Sequence, residues 1–369
     1  MKSLIKPMII LLFAVIMMIN MPEVCAEETV PEQEYSEEIQ SQVDGMLEEY
    51  DISFRYSDME ELSLDGIISG IKESVSERIN GPIMTLGIIL VIIIFTSFVQ
   101  GVGESALIQN SSLNMYKLVS VLASAAVITP RLLSVYQNAS SALDRGGGFM
   151  LVFVPVFAGI SIFSGGLTSV GVYNAVTLGA AEIMVQVSSE ILMPILIMNI
   201  ALSICGSIFG NNSIESLVQT IRKIMIWTMT VAVTLFSGFV SLKCTLGGAV
   251  DGFAVKTVKY MVSGFVPIIG GAISDAYSTV KGSFDVMRCT AGTAGTIGIV
   301  MLMLPPILEL MAYRGMLWIA KAASGMFSVT ALDKLFKNLD AGLSICVSML
   351  VSFSVLFIIS TAILMKTMG

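Results

Sequence analysis

Histidine does not occur anywhere in the 369 residues, only 13% of them are charged, and there are two tryptophans and five cysteines. Without histidine there is no Ser-His or Cys-His nucleophile, no His-ligated zinc and no ordinary neutral-pH proton shuttle. The cysteines Cys205, Cys244, Cys289 and Cys346 are far apart and mostly in apolar surroundings, so they form neither a CxxC redox pair nor a clustered metal site and read as packing residues. No GxxxxGK[ST] phosphate loop is written either, so energy for any transport would have to come from another subunit. These absences argue against an enzyme and against a cofactor or metal.

What the chain has in abundance is apolar sequence: 55% of residues, with a mean hydropathy of +0.85. Charge-free runs cover 81–103, 146–181, 191–214, 224–242, 289–308 and 341–365. A helix needs roughly 20 such residues to cross a bilayer. The expectation is an all-α polytopic membrane protein with 6–10 membrane helices or re-entrant segments. The 25 methionines and 32 glycines suit close packing of helices in lipid.

The first 26 residues read as an export signal: Lys2 and Lys6, an apolar stretch from Met8 to Ile19, then Val24-Cys25-Ala26 as a cleavage site, or an uncleaved signal anchor. Residues 27–80 follow with 16 acidic and three basic side chains, whereas 81–369 carries 15 basic and 11 acidic. An exported acidic segment repels nucleic acid and anionic lipid alike. It is either a solvated juxtamembrane region or, through Val43, Met46, Leu47 and Tyr50 and then Leu64, Ile67, Ile68 and Ile71 at helical spacing, a docking arm.

FVPVFAGIS at 153–161 returns as FVPIIGGAIS at 265–274, an offset of 112 residues. The same offset sets Pro155 on Pro267, Gly159 on Gly271, Pro194 on Pro306, Arg222 on Lys334 and Arg131 on Lys243. That pattern predicts a tandem repeat with copies at about 114–225 and 226–337 and a last helix at 341–365. Arg222 and Lys223, then Lys334 and Lys337, mark two loops as cytoplasmic anchors, which makes the copies parallel. Ten segments fit the count: 82–103, 114–136, 149–165, 171–188, 190–210, 224–242, 261–274, 283–300, 301–323 and 341–365. The paired prolines and glycines are expected to break helices, either as kinks or as symmetry-related walls of a cavity.

Glu182, Gln186 and Glu190 fall on one face of a continuous helix, and with Glu309 they are candidate intramembrane polar contacts. The alternative has the first two glutamates reaching the interface and Glu309 pairing with Arg314.

The stretch KYMVSGFVPIIGGAISDAYSTVKGS at 259–283, together with the signal, the acidic arm and the polytopic body, resembles the stage III sporulation protein AE family of endospore-forming bacteria. The resemblance implies a multi-pass protein of the mother-cell-derived membrane around the forespore. It also implies a non-enzymatic subunit of a transenvelope channel or secretion-like complex. Partners would be other stage III sporulation membrane proteins, a separate ATPase subunit and a forespore-membrane partner. A stand-alone secondary transporter for a small solute is the alternative.

Overall fold

A computed structural model describes residues 64–105, 110–163, 167–209, 212–265 and 270–367. The export signal, most of the acidic arm and Pro267 lie outside the described residues. Among the described residues there is no strand, and seven α-helices with one π turn join into six rods. They are α1 (Leu64–Ser105), α2 (Asn110–Phe163), α3 (Leu167–Val187), the π turn Ser188–Leu192, α4 (Met193–Phe209), α5 (Asn212–Phe265), α6 (Gly270–Met326) and α7 (Thr330–Thr367). Helix is the answer lipid demands, because every backbone polar group must find its partner within the segment. Small hydroxyls obey the same rule: Thr85, Thr96, Ser161, Ser203, Thr296 and Ser354 each donate to the carbonyl four residues earlier.

Among the described residues, six helices are long and apolar enough to cross a membrane. The ten expected segments have fused: 114–136 with 149–165 in α2, and 283–300 with 301–323 in α6. At 57 residues α6 is about 85 Å long, against a hydrocarbon core of about 30 Å, so it reaches well beyond one hydrocarbon layer. Other glycines, which the sequence did not single out, make room for neighbouring side chains. A Cβ on Gly295 would overlap the Phe153 ring, one on Gly292 would meet Met365 and Phe157, and one on Gly146 would meet Met303 and Phe353. Phe149, Phe153 and Phe157 stack at successive centroid distances of 5.5 Å, and Phe357 meets Phe149 and Phe153 edge-on. The recurring phrase thus contributes, in its first occurrence, an aromatic ladder seated in a glycine groove of α6.

Helix boundaries do not keep the 112-residue offset. The 54-residue helices α2 and α5 start at Asn110 and Asn212, 102 residues apart. Pro155 lies inside α2, and its counterpart at an offset of 112, Pro267, lies outside the described residues.

The last helix, α7, is the axis of the bundle. It packs against α6, α5, α4, α2 and α3, and Ala341–Val347 are buried on every face. By contrast α5 is an outer helix, showing Trp227, Leu235 and Leu242 to its surroundings. A tight turn joins α6 to α7. Val329 N donates to Ser324 O at 2.9 Å and Ser328 N to Gly325 O at 3.2 Å, with Ser328 left-handed at φ 58°. This is the capping pattern glycine normally serves. It lays α7 antiparallel along α6.

Candidate functional site: a clamped central helix and a polar flank

The register of α6 on α7 is fixed by two buried arginines. Near the turn, Arg314 Nε donates to Asp340 Oδ1 at 2.8 Å. Toward the far end of both helices, Arg288 Nη2 donates to the Met365 carbonyl at 3.3 Å and faces Asp285 at 3.3 Å. Met365 is in the last turn of α7, where carbonyls lack intrahelical donors and the helix dipole favours a cation. Between the two contacts, 341–365 of α7 and 289–308 of α6 carry no charge. Twenty-five such residues make about 37 Å of helix, enough for one hydrocarbon core.

Around the Arg314–Asp340 pair the core is polar. A Cβ on Gly342 would stand 2.8 Å from Asn199 Oδ1 and closer still to the Tyr136 hydroxyl, so α2 and α4 bring polar tips against bare backbone of α7. The hydroxyl of Tyr136, Oδ1 of Asn199 and the amide of Asn338 make no protein hydrogen bond there. Buried polar groups of this kind ordinarily meet water. Lys337 of α7 pairs with Glu215 of α5, and Arg222 feels both Asp340 and Arg314. The two basic anchors expected from the sequence therefore converge: the start of α5 stands beside α7 two turns in from its N-terminus.

The remaining sequence candidates are distributed. Pro155 is exposed and does not end its helix, because its outward position lets α2 run on past the missing donor. A Cβ on Gly159 would meet nothing within 4 Å, so no neighbouring chain fills a gap there. Pro194 does distort its helix: the π turn Ser188–Leu192 precedes it, and the carbonyl its ring would crowd belongs to Glu190. Pro306 is buried within an uninterrupted α6, and Gly271 is in that helix's first turn. Lys223 is exposed and Lys334 half-buried. Glu309 accepts from Asn138 Nδ2 at 3.3 Å and 3.4 Å, while Arg314 Nε donates to Asp340. Cys346 is buried and Cys205 exposed, both as free thiols, and Cys289 is disulfide-bonded rather than a plain packing residue.

Glu182, Gln186 and Glu190 are all exposed on α3 and the π turn. Sequence reasoning missed their companions on the neighbouring α2, where Arg131, Ser134, Gln137, Asn138, Ser141, Asp144 and Arg145 form an exposed polar stripe. A helical plot of 131–145 would have found it, since these positions recur at three- and four-residue spacing. On insertion scales an Asp or Arg at the centre of a membrane helix costs about 2.5–3.5 kcal/mol. Such a flank is therefore poorly matched to acyl chains.

Long apolar helices around a charge-clamped axis define an all-α polytopic membrane protein. The chain belongs to the stage III sporulation protein AE family, whose model matches residues 51–368. It is a sporulation-related membrane protein. It is 24% identical over 204 residues to Stage III sporulation protein AE of Bacillus subtilis (strain 168), covering 54% of this chain and 51% of that one. The match thus spans about half the length of that relative. No solved structure matches the chain.

Proposed function

We propose that the protein is a non-enzymatic membrane subunit of a multiprotein transenvelope channel or secretion-like complex that serves spore development, from mother cell to forespore. The observation that carries this reading is the family match over 51–368, which takes in all six rods. The polar flank supports it, because a face unsuited to lipid belongs against water or protein. In this reading the chain is multi-pass in the mother-cell-derived membrane around the forespore. Residues 1–26 direct export, 27–80 lie on the extracytoplasmic side, and the ends of α5 and α7 bearing Glu215 and Lys337 face the cytoplasm. Its partners are other stage III sporulation membrane proteins, a separate ATPase subunit and a forespore-membrane protein.

The test is an in-frame deletion in the organism of origin. The deletion strain should engulf its forespore, then stall with weak late forespore gene expression, and recover when the full chain is restored. Normal spore yield in the deletion strain would refute the reading.

A further inference from the structure

The depth of the polar flank follows from its packing partners. Gly146, next to Arg145, lies against Phe353, which is midway along α7 between Asp340 and Met365. Ser141, Asp144 and Arg145 are therefore near the middle of the charge-free layer, yet exposed. On α3, the Tyr173 hydroxyl meets Thr361 Oγ1 at 3.2 Å, four residues before Met365. Glu182 is nine residues further on, about 13 Å along the helix toward the Asp340 end. Glu190 follows in the π turn, which touches α2. Two adjacent elements thus present charge outward at the same depth.

A side chain near the edge of the layer could reach out to headgroups, but one near its middle cannot. The stripe carries both signs, as a solvated face does; Arg145 Nε donates to the Ser141 carbonyl at 3.3 Å, and Asn138 Nδ2 donates across to Glu309 of α6 at 3.3 Å. The outer face of α5 at comparable depth is unlike it. There Leu235 stands 13 residues beyond Arg222, itself level with Asp340; its exposed neighbours carry no charge, and the exposed Thr230 and Thr234 hydroxyls donate back to their own helix. The bundle has a lipid-suited side and a water-suited side.

We propose that the flank formed by Ser134–Arg145 of α2 with Glu182 and Glu190 faces water at the depth of the bilayer core, as one wall of a hydrophilic path completed by neighbouring subunits. This rests on the subunit reading above. Asp144, Glu182 and Glu190 against Arg145 give the wall a negative field, so it admits cations and neutral polar solutes ahead of anions.

The test uses the full chain in open membrane fragments from sporulating cells, so that both sides are reached. Single cysteines replace Ser141, Glu182 and, as a control, Leu235, in a background with Cys205→Ser. A charged, water-soluble methanethiosulfonate should modify S141C and E182C at least about ten-fold faster than L235C, as expected when one site meets water and the other hydrocarbon. A lipid-soluble maleimide should reach L235C. Relative to a cysteine in bulk water, the cationic reagent should outpace the anionic one at S141C. If S141C and E182C react no faster than L235C, the wall does not face water, whether lipid or protein covers it. If the two charges react alike, the cation preference falls. Either failure leaves the subunit reading standing, because the deletion phenotype tests that separately.

Discussion

Arg314 and Asp340 face each other across the turn that joins α6 to α7, with Nε to Oδ1 at 2.8 Å and the arginine side chain only 1% exposed. Removing one partner strands a buried charge, which typically costs 3–5 kcal/mol, whereas replacing both with apolar groups is often neutral or better. D340A should therefore lower the melting temperature and the cellular level of the protein. The double variant R314M/D340L should recover most of both. Fluorescence-detected size exclusion after graded heating in detergent measures this, and a double variant as weak as D340A would show that the pair does not act as a unit.

Glycine substitutions separate packing from helix breaking. G295A drives a methyl into the Phe153 ring, and overpacking of this kind costs about 1–3 kcal/mol. G159A meets nothing and should be neutral or gain up to about 1 kcal/mol from helix propensity. The same melting assay decides; equal loss in both variants would mean that Gly159 is packed as tightly as Gly295.

Ser328 occupies a left-handed position at the end of α6. S328G should stabilise the turn by about 1 kcal/mol, since left-handed backbone carries a Cβ penalty of that order. A fall in melting temperature would show that the serine side chain contributes more than the strain it brings.

Pairing of Lys337 with Glu215 sets the first turn of α5 beside the N-terminal part of α7. A double variant E215C/K337C should form a disulfide on mild oxidation, visible as a mobility shift that reductant reverses, while E215C combined with a cysteine at Lys366, at the other end of α7, should not. An absence of cross-linking in the first variant would place these parts of α5 and α7 apart.

Much of the architecture is legible in the residues, and the failures share a cause. Runs such as 341–365 announce helices because their length matches the hydrocarbon thickness and they hold no charge. That Arg222 and Lys337 share one end of the bundle agrees with their both being basic residues beside apolar runs. Segment number was not legible, because Pro155 and Gly159 look like punctuation in one dimension. Whether a glycine ends a helix or receives Phe153 depends on which helix lies opposite. Asp340 was hidden for the same reason: nothing in its neighbourhood names Arg314, 26 residues earlier, as its partner. Pro194 is the instructive exception, where the missing amide itself produces the π turn that follows from local chemistry alone.

The central claim is that this chain works as one subunit of a larger membrane assembly. It is tested most directly by affinity purification of the full-length protein, expressed at its native level, from sporulating cells in mild detergent, with the co-purifying proteins identified by mass spectrometry. The account predicts recovery of other stage III sporulation membrane proteins together with an ATPase subunit. Recovery of this chain by itself, with solute transport retained when it is placed in liposomes, would contradict it and establish a self-sufficient transporter instead.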